Sequence, residues 1–526
     1  MDAQRYLNEK SQKAYASYME LIANPDMPTW DYVIITASNA QQARGFEKQL
    51  ASRRQAGFLP VQTHYGIVPD PVGERVGNGG AMLGALRYVA QHANTTTFVN
   101  LRIMVILSSG DSKRIPQYSA MGKVFSPVPK ALPNGHASTL FDEMMMQTAV
   151  ISKNMPAGMF ICAGDVLLLF DASQLTYTAE HAMAISFLTE ARKGQNHGVF
   201  IEGNNQNIAD VWHKQSVCTL NRLGAINQQG KVNIDTGAMI FFPPVLETLY
   251  GLINTETSFR NYVNGHLAPS LYVDFFYPLV ENATLEKYLE KTPEGVLSDD
   301  LIDCRRKLWK VLRPYRVALK AMEPAKFIHF GTTQEMLQLM TEHIGHYAYL
   351  GWASQVNSQC QQAQLAAYSS QIAPAVTVGK GCYVEYSTLL EGTLGDNSML
   401  SCIALAGEMV PSNVVIHGQK LKNNLYTARI WGVNDNPKAT LEQNATLFDV
   451  SLQCFLDRTD QTVEDLFHKE EAHTLWHARL FPMCEDEKTA LSHALNLYQL
   501  QKGQGNLDMW KNMPKTSLHD SFENAV

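Results

Sequence analysis

The chain has 526 residues, 45% of them hydrophobic and 18% charged, enough at roughly 150 residues per domain for about three or four units with large cores. Its 43 basic and 50 acidic side chains leave a formal net charge of −7, which speaks against a nucleic-acid-coating protein. An anionic small molecule stays open as substrate, because local charge decides a site and net charge does not.

The N-terminus, MDAQRYLNEK, has neither a basic nor an apolar leader region, and no apolar run approaches the roughly 18 residues of a membrane helix. The 8 cysteines lie far apart and form no CxxC pair, which reads as scattered buried thiols in a reducing compartment. The expectation is a cytoplasmic protein with no membrane or nucleic-acid partner.

In chain order, residues 1–30 read as an N-terminal helical segment that ends in a loop through Asn24-Pro25-Asp26. From 31 to 330 short apolar runs alternate with amphipathic stretches: DYVIITA at 31–37, a helical pattern near 40–55, then RIMVIL at 102–107, Met159 to Ala163 and Ala238 to Phe242 as strands. Strands alternating with helices predict a mostly parallel sheet with helices on both faces, an α/β, Rossmann-like domain. Residues 331–373 read as a helical connector. From Pro374 to 436 the pattern changes: Val378, Val384 and Leu390, then Leu394 and Leu400, then Val410 and Ile416 recur at a six-residue interval beside Gly379, Gly395 and Gly418. That period predicts two or three coils, each of roughly 18 residues, of a short parallel β-helix. Residues 437–526 read as helical again, densest at 462–482, before a loose tail over the last 25 residues.

Chemistry-bearing residues gather in a few places. Directly after the RIMVIL strand, where open α/β sheets place their ligand crevice, stands LSSGDSKRIPQYSAMGKVFSPVPK. Ser108, Ser109, Gly110 and Ser112 can turn backbone N–H groups toward phosphate oxygens, and Arg114, Lys123 and Lys130 can add charge-assisted contacts to a polyphosphate. No GK[ST] closes the loop, so it is not a Walker A motif, and a plain basic surface loop has the same composition. Upstream, Gly77, Asn78, Gly79 and Gly80 precede a helical apolar face, which suits either an anion at a helix start or an ordinary turn into that helix. Gly164-Asp165 ends an apolar strand, so Asp165 is either a carboxylate for a phosphate-bridging Mg²⁺ or a turn residue. His213-Lys214, Asp235-Thr236-Gly237 and Tyr272-Val273-Asp274 are unremarkable singly. His343 and His346 lack the HExxH frame, and no GxSxG elbow occurs, which weakens zinc-protease and serine-hydrolase readings.

Taken in order, DPVGERVGNGGA (70–81), SGDSKRIP…GK (109–123), CAGDVLL (162–168), HKQS (213–216), YTARIWGVNDNPK (426–438) and TLWHARLFP (474–482) resemble the fucose-1-phosphate guanylyltransferase family. They also resemble the N-terminal half of bifunctional L-fucokinase/GDP-fucose pyrophosphorylases. The resemblance implies a sugar nucleotidyltransferase domain followed by a left-handed β-helix. It implies transfer of GMP from GTP to L-fucose 1-phosphate with Mg²⁺ or Mn²⁺, in L-fucose salvage. On the same grounds Arg114 would grip the leaving pyrophosphate and Lys123 the α- or β-phosphate. Asp165 would hold the metal with Asp274, Lys214 would meet the sugar phosphate, and Asp235, Thr236 and Gly237 would cradle the sugar. Because GNGGA precedes the phosphate loop, whereas the base-contacting turn of common sugar nucleotidyltransferases follows it, Gly77 to Ala81 is expected to border the nucleobase in a permuted order.

The chain departs from the family pattern at Ser108-Ser109 in place of Ala-Gly, at Gln215 in place of Pro, and around Asp274. The competing readings are a nucleotidyltransferase for another sugar or base, a hexapeptide acyltransferase with His417 as its base, and a non-catalytic subunit that assembles through the β-helix. A kinase finds no glycine-rich loop in 437–526. Homo-oligomer formation through the β-helix is a further expectation.

Overall fold

The structure, a computed structural model, describes residues 2–292 and 297–526. The chain divides into two compact units: Met1–Gly110 with Phe141–Ile328, and Asp111–Leu140 with His329–Val526. The phosphate-loop segment after Gly110 therefore leaves the first unit and is built into the second.

The first unit holds a 9-stranded mixed sheet. Its parallel part takes three apolar runs the sequence displays and one strand it does not mark, His64–Pro69: Tyr32–Ala37 lies between His64–Pro69 and Arg102–Leu107, and Arg102–Leu107 pairs with Gly158–Ala163. Ile34 faces Val105 and Val105 faces Ile161, all fully buried, as strands covered on both faces require. The helix Ala40–Gln55 starts at Asn39, whose side chain accepts from the Gln42 N–H at 2.8 Å, a cap that satisfies one of the free amides of the first turn. Beyond Gly158–Ala163 the sheet turns antiparallel, through Lys231–Phe241 and Ala182–Glu190.

In the second unit successive short strands stack in parallel. Tyr383 pairs with Met399 and Met399 with Val415, so one circuit takes 16 residues rather than about 18, as the slip between Leu390 and Leu394 shortens one side. A second parallel set, Gln371–Ile372, Thr388–Leu394 and Ala404–Val410, runs alongside. Stacking starts at Gln355–Val356, ahead of Pro374, and helical structure in 331–373 is confined to Thr333–Met340 and Ile344–Leu350. Leu390 does not face inward: it is 60% exposed, and Leu389, paired across from Ile372, is buried in its place. The strand Tyr426–Gly432 closes the stack antiparallel to Val414–Lys420.

Two expectations for the C-terminal part are corrected. Only Val463–Leu466 is helical within 462–482. Leu475, Trp476, Ala478, Leu480 and Phe481 are all fully buried, a density that would surround a helix on every side, and the chain instead crosses as turns into the Phe481–Pro482 strand. The last 25 residues are not a loose tail. Trp510 is buried with its indole N–H on the Leu480 carbonyl at 2.9 Å, Leu518 and Phe522 are fully buried, and the Lys422 N–H donates to the Asn524 carbonyl at 2.9 Å. No helix among the described residues is long and apolar enough to cross a membrane. Half of the cysteines (Cys162, Cys304, Cys382 and Cys484) are buried, whereas Cys218 and Cys402 are exposed and Cys360 and Cys454 lie between.

Candidate functional site

In the first unit the site lies where the strands end. Thr36 accepts from the Ser108 N–H at 3.0 Å, and the Gly164 N–H donates to the Leu107 carbonyl at 2.9 Å, so these strand ends are drawn tightly together. A Cβ on Gly164 would sit 2.9 Å from the Ser108 Cβ, which is why this corner needs glycine. Ser109 and Gly110 follow at the surface, and Gln42 donates to the Gly110 carbonyl at 3.2 Å. Asp165 stands half-buried between Gly158–Ala163 and Val166–Phe170.

Lys231–Phe241, which pairs with Gly158–Ala163 on one side, is bulged between Asp235 and Ala238 against Ala182–Glu190 on the other. The bulge is fixed by Thr236, whose hydroxyl donates to the Ile185 carbonyl at 2.5 Å, and by Gly237 at φ +75°. A Cβ on Gly237 would touch both the Ala163 Cβ and the Tyr272 hydroxyl at 3.4 Å, so the bulge, the strand end before Asp165 and Tyr272 meet here. Asp235 accepts from the Gly237 N–H at 2.9 Å, and desolvation pushes its carboxyl up to about 6. Gly198 separates Asp235 from the His213 ring: a Cβ there would lie 3.1 and 3.0 Å from them. Burial, with Lys291 and Lys214 nearby, lowers the His213 imidazole, and Lys214 beside it is exposed. The sequence gives each of these pieces singly; the bulge is what gathers Asp235, Gly237 and Tyr272.

The glycines at 77–80 form the first turn of the helix Gly77–His92, and their first neighbour is protein. A Cβ on Gly77 would be 2.6 Å from the Ala268 carbonyl, and one on Gly79 2.7 Å from the Pro269 oxygen and 2.4 Å from Phe275. The Gly79 N–H donates to Pro269 at 2.9 Å, and Asn78 accepts from the Leu271 N–H at 2.6 Å. Close backbone packing accounts for Gly77 and Gly79.

Asp274 is committed elsewhere. Its carboxylate is 1% exposed, accepts from Arg305 Nε at 2.7 Å and from the Ser270 N–H at 2.6 Å, and sits inside the core. Its neighbours in sequence suggest a ligand, but the buried Arg305 that claims it lies 31 residues away and carries no local signal. No group of three or more His, Cys, Asp or Glu side chains able to hold a metal occurs among the described residues. Mg²⁺ needs no such group, since it takes one or two carboxylates and completes its shell from substrate phosphates and water.

In the second unit Ser112 is buried at φ +56°, and the chain turns there through the 3₁₀ turns Pro116–Tyr118 and Lys123–Phe125. Thr333 holds the loop by donating its N–H and hydroxyl to the Arg114 carbonyl at 3.0 and 3.1 Å, which leaves the Arg114 side chain exposed. Lys123 is half-buried and donates to the Gly331 carbonyl at 3.2 Å; Lys130 is half-buried on Pro127–Ala131. Tyr118 donates to Glu385 Oε2 at 2.7 Å, so the segment between Arg114 and Lys123 is anchored to the strand stack.

The first unit offers a bulged, polar strand end and the second a loop of exposed or half-exposed cations, each of a kind that can meet phosphate. The family profile described as the fucose pyrophosphorylase domain matches residues 96–486, and the chain belongs to that family. It is 26% identical to the mouse fucose-1-phosphate guanylyltransferase, over 89% of this chain and 86% of that protein. It is 25% identical to the human fucose-1-phosphate guanylyltransferase, over 95% and 89%. It is also 25% identical to the Arabidopsis thaliana bifunctional fucokinase/GDP-fucose pyrophosphorylase, covering 94% of this chain but 51% of that protein. Membership makes the chain an enzyme of the nucleotidyltransferase kind.

Proposed function

We propose that the chain transfers GMP from GTP to L-fucose 1-phosphate, giving GDP-L-fucose and pyrophosphate. The observation that carries this reading is the reach of the family match, 96–486, which takes in the Arg114–Lys123 loop, Asp165, Lys214 and the Asp235–Gly237 bulge together. The sugar phosphate is already an anionic nucleophile, so no general base is needed. The protein's task is to hold two anions in line against their repulsion. Arg114 binds the leaving pyrophosphate, Lys123 and Lys130 the nucleotide phosphates with the Ser109–Ser112 turn, and Lys214 the sugar phosphate. These cations act on charge that builds at the α-phosphate and the leaving group. Asp235, Thr236 and Gly237 orient the sugar, and the Gly77–Gly80 turn borders the base. Asp165 is the residue that would hold Mg²⁺ or Mn²⁺, and such an ion supplies neutralisation of phosphate charge. Asp274 is left out of the metal set because Arg305 occupies its carboxylate. We read the strand stack of the second unit as a left-handed β-helix that can serve a homo-oligomer.

The test is pyrophosphate release by the pure protein with Mg²⁺ and each of GTP, ATP, UTP and CTP against the 1-phosphates of L-fucose, mannose, galactose and glucose. Turnover confined to GTP with L-fucose 1-phosphate is expected. Turnover with another pair keeps the class and overturns the substrate.

A further inference from the structure

Two segments that carry the family resemblance, the loop after Gly110 and TLWHARLFP (474–482), meet within the second unit, and the reaction proposed above uses only the loop. Lys113, next to Arg114, holds its ammonium 5.7 Å from the centre of the Trp476 ring, within reach of a cation–π contact, and 3.7 Å from Asp111 Oδ2. Trp476 is fully buried, so it is a floor that fixes the ammonium and not a surface for a ligand. The Lys113 side chain itself stays 31% exposed.

Two half-buried imidazoles stand beside that ammonium. The His477 and His519 rings meet edge to face with 5.2 Å between centres, and the His519 ring is 6.2 Å from Trp476. His477 Nδ1 lies 3.1 Å from Thr474 Oγ1 and His519 Nδ1 is enclosed, which leaves Nε2 of each ring, neither bonded nor enclosed, to a ligand. Burial, Lys113 and His519 lower the His477 imidazole, while Glu471 and the Ala472 carbonyl raise it. The acidic neighbours are taken up by Arg479, which holds both Glu471 oxygens at 2.8 and 2.9 Å and reaches Asp520 at 3.3 Å. Positive and protonatable groups crowd one another here, and a bound anion relieves that crowding.

We propose that Lys113, His477 and His519 bind a diphosphate, the β- and γ-phosphates of the nucleotide that leave as pyrophosphate. Arg114, the next residue, has an exposed side chain. An ammonium, a guanidinium and two protonatable rings suit a multiply charged anion better than a singly charged one. The proposal rests on reading the loop as the nucleotide's phosphate site, and it adds a side supplied by the C-terminal part of the chain.

The full chain is treated with diethyl pyrocarbonate, which acylates unprotonated imidazole nitrogen, and the rate at each histidine is read by peptide mass spectrometry with pyrophosphate, orthophosphate or guanosine present. His266 in the first unit and His346 in the second, both exposed, serve as references. Pyrophosphate should slow His477 and His519 saturably, at a lower concentration than orthophosphate, and leave His266 and His346 unchanged; guanosine should slow none of them. In Lys113→Gln, read at His477, and in His477→Gln, read at His519, the half-protecting concentration of pyrophosphate should rise about tenfold or more, the scale of one lost charged hydrogen bond. The readout needs no turnover, so protection in a chain that makes no GDP-L-fucose keeps the diphosphate site and removes the reaction, and turnover without protection does the reverse. No protection by pyrophosphate, equal protection by orthophosphate or guanosine, or protection unmoved in both variants overturns the proposal.

Discussion

Tyr118 and Glu385 meet at 2.7 Å, both fully buried, and join the loop that carries Arg114 and Lys123 to the strand stack. Glu385 Oε2 also accepts from Tyr383 at 2.9 Å and Oε1 from Ser401 at 2.6 Å. Three neutral hydroxyls hold the carboxyl, with no cation paired to it among the described residues, and burial pushes it up to about 7.

A pH signature comes with that shift. Between the ordinary value of 4.5 and about 7 the native state keeps a proton that the unfolded chain has lost. This group's contribution is therefore intact below 4.5 and is lost as pH rises to about 7, by roughly 3 kcal/mol. Glu385→Gln keeps acceptor and donor for the same hydroxyls and removes the titration. Urea midpoints at pH 5 and pH 8 should show the variant gaining on the parent chain at pH 8; an equal difference at both pH values contradicts the assignment.

Asp274→Ala strands the buried Arg305 guanidinium and should cost about 3–5 kcal/mol in urea unfolding. Asp274→Asn, which keeps a hydrogen-bond acceptor, should fold and leave the Mg²⁺ dependence of turnover unmoved. A shifted Mg²⁺ titration in that variant would return Asp274 to the metal set.

Gly77→Ala meets the Ala268 carbonyl with a backbone at φ +69°, and Gly79→Ala meets the Pro269 oxygen. Each should lose about 2–4 kcal/mol from overpacking and strain. Gly84→Ala in the same helix, whose Cβ would find only Val68 Cγ1 at 3.4 Å, should be neutral or stabilising. Thermal melts of the three variants decide it, and equal melting temperatures would refute the packing account of these glycines.

Lys123→Ala should lower kcat at least about 100-fold, the scale of removing one preorganised charge at the reacting phosphates, and a loss below about threefold removes it from the machinery. Asp165→Asn should raise the Mg²⁺ needed for half-maximal rate. An unchanged titration rules Asp165 out as the ligand.

The strands at 32–37 and 102–107 and the helix at 40–55 were legible because an apolar run or a capped amphipathic period is a local property, and the structure forms each on the stretch the sequence marks. The inward choice of Leu389 over Leu390 was not, since it depends on register with Ile372 in the next circuit. Nor was the packing of the final residues, which rests on Trp510 and Phe522 finding a core built by distant segments. At the site, the same limit separates Asp165, which a strand end announces, from Asp274, whose fate is set by Arg305. His417 drew notice only as a possible acyltransferase base, because nothing near it in sequence reveals that Arg429 lies across the strand pair.

The most direct measurement of the proposed reaction is its reversal. The chain is incubated with pyrophosphate, Mg²⁺ and either GDP-L-fucose, GDP-mannose, UDP-galactose or ADP-glucose, and the nucleoside triphosphate formed is identified. GTP and L-fucose 1-phosphate from GDP-L-fucose alone is the predicted result; faster pyrophosphorolysis of any other nucleotide sugar, or none of GDP-L-fucose by a folded chain, contradicts it.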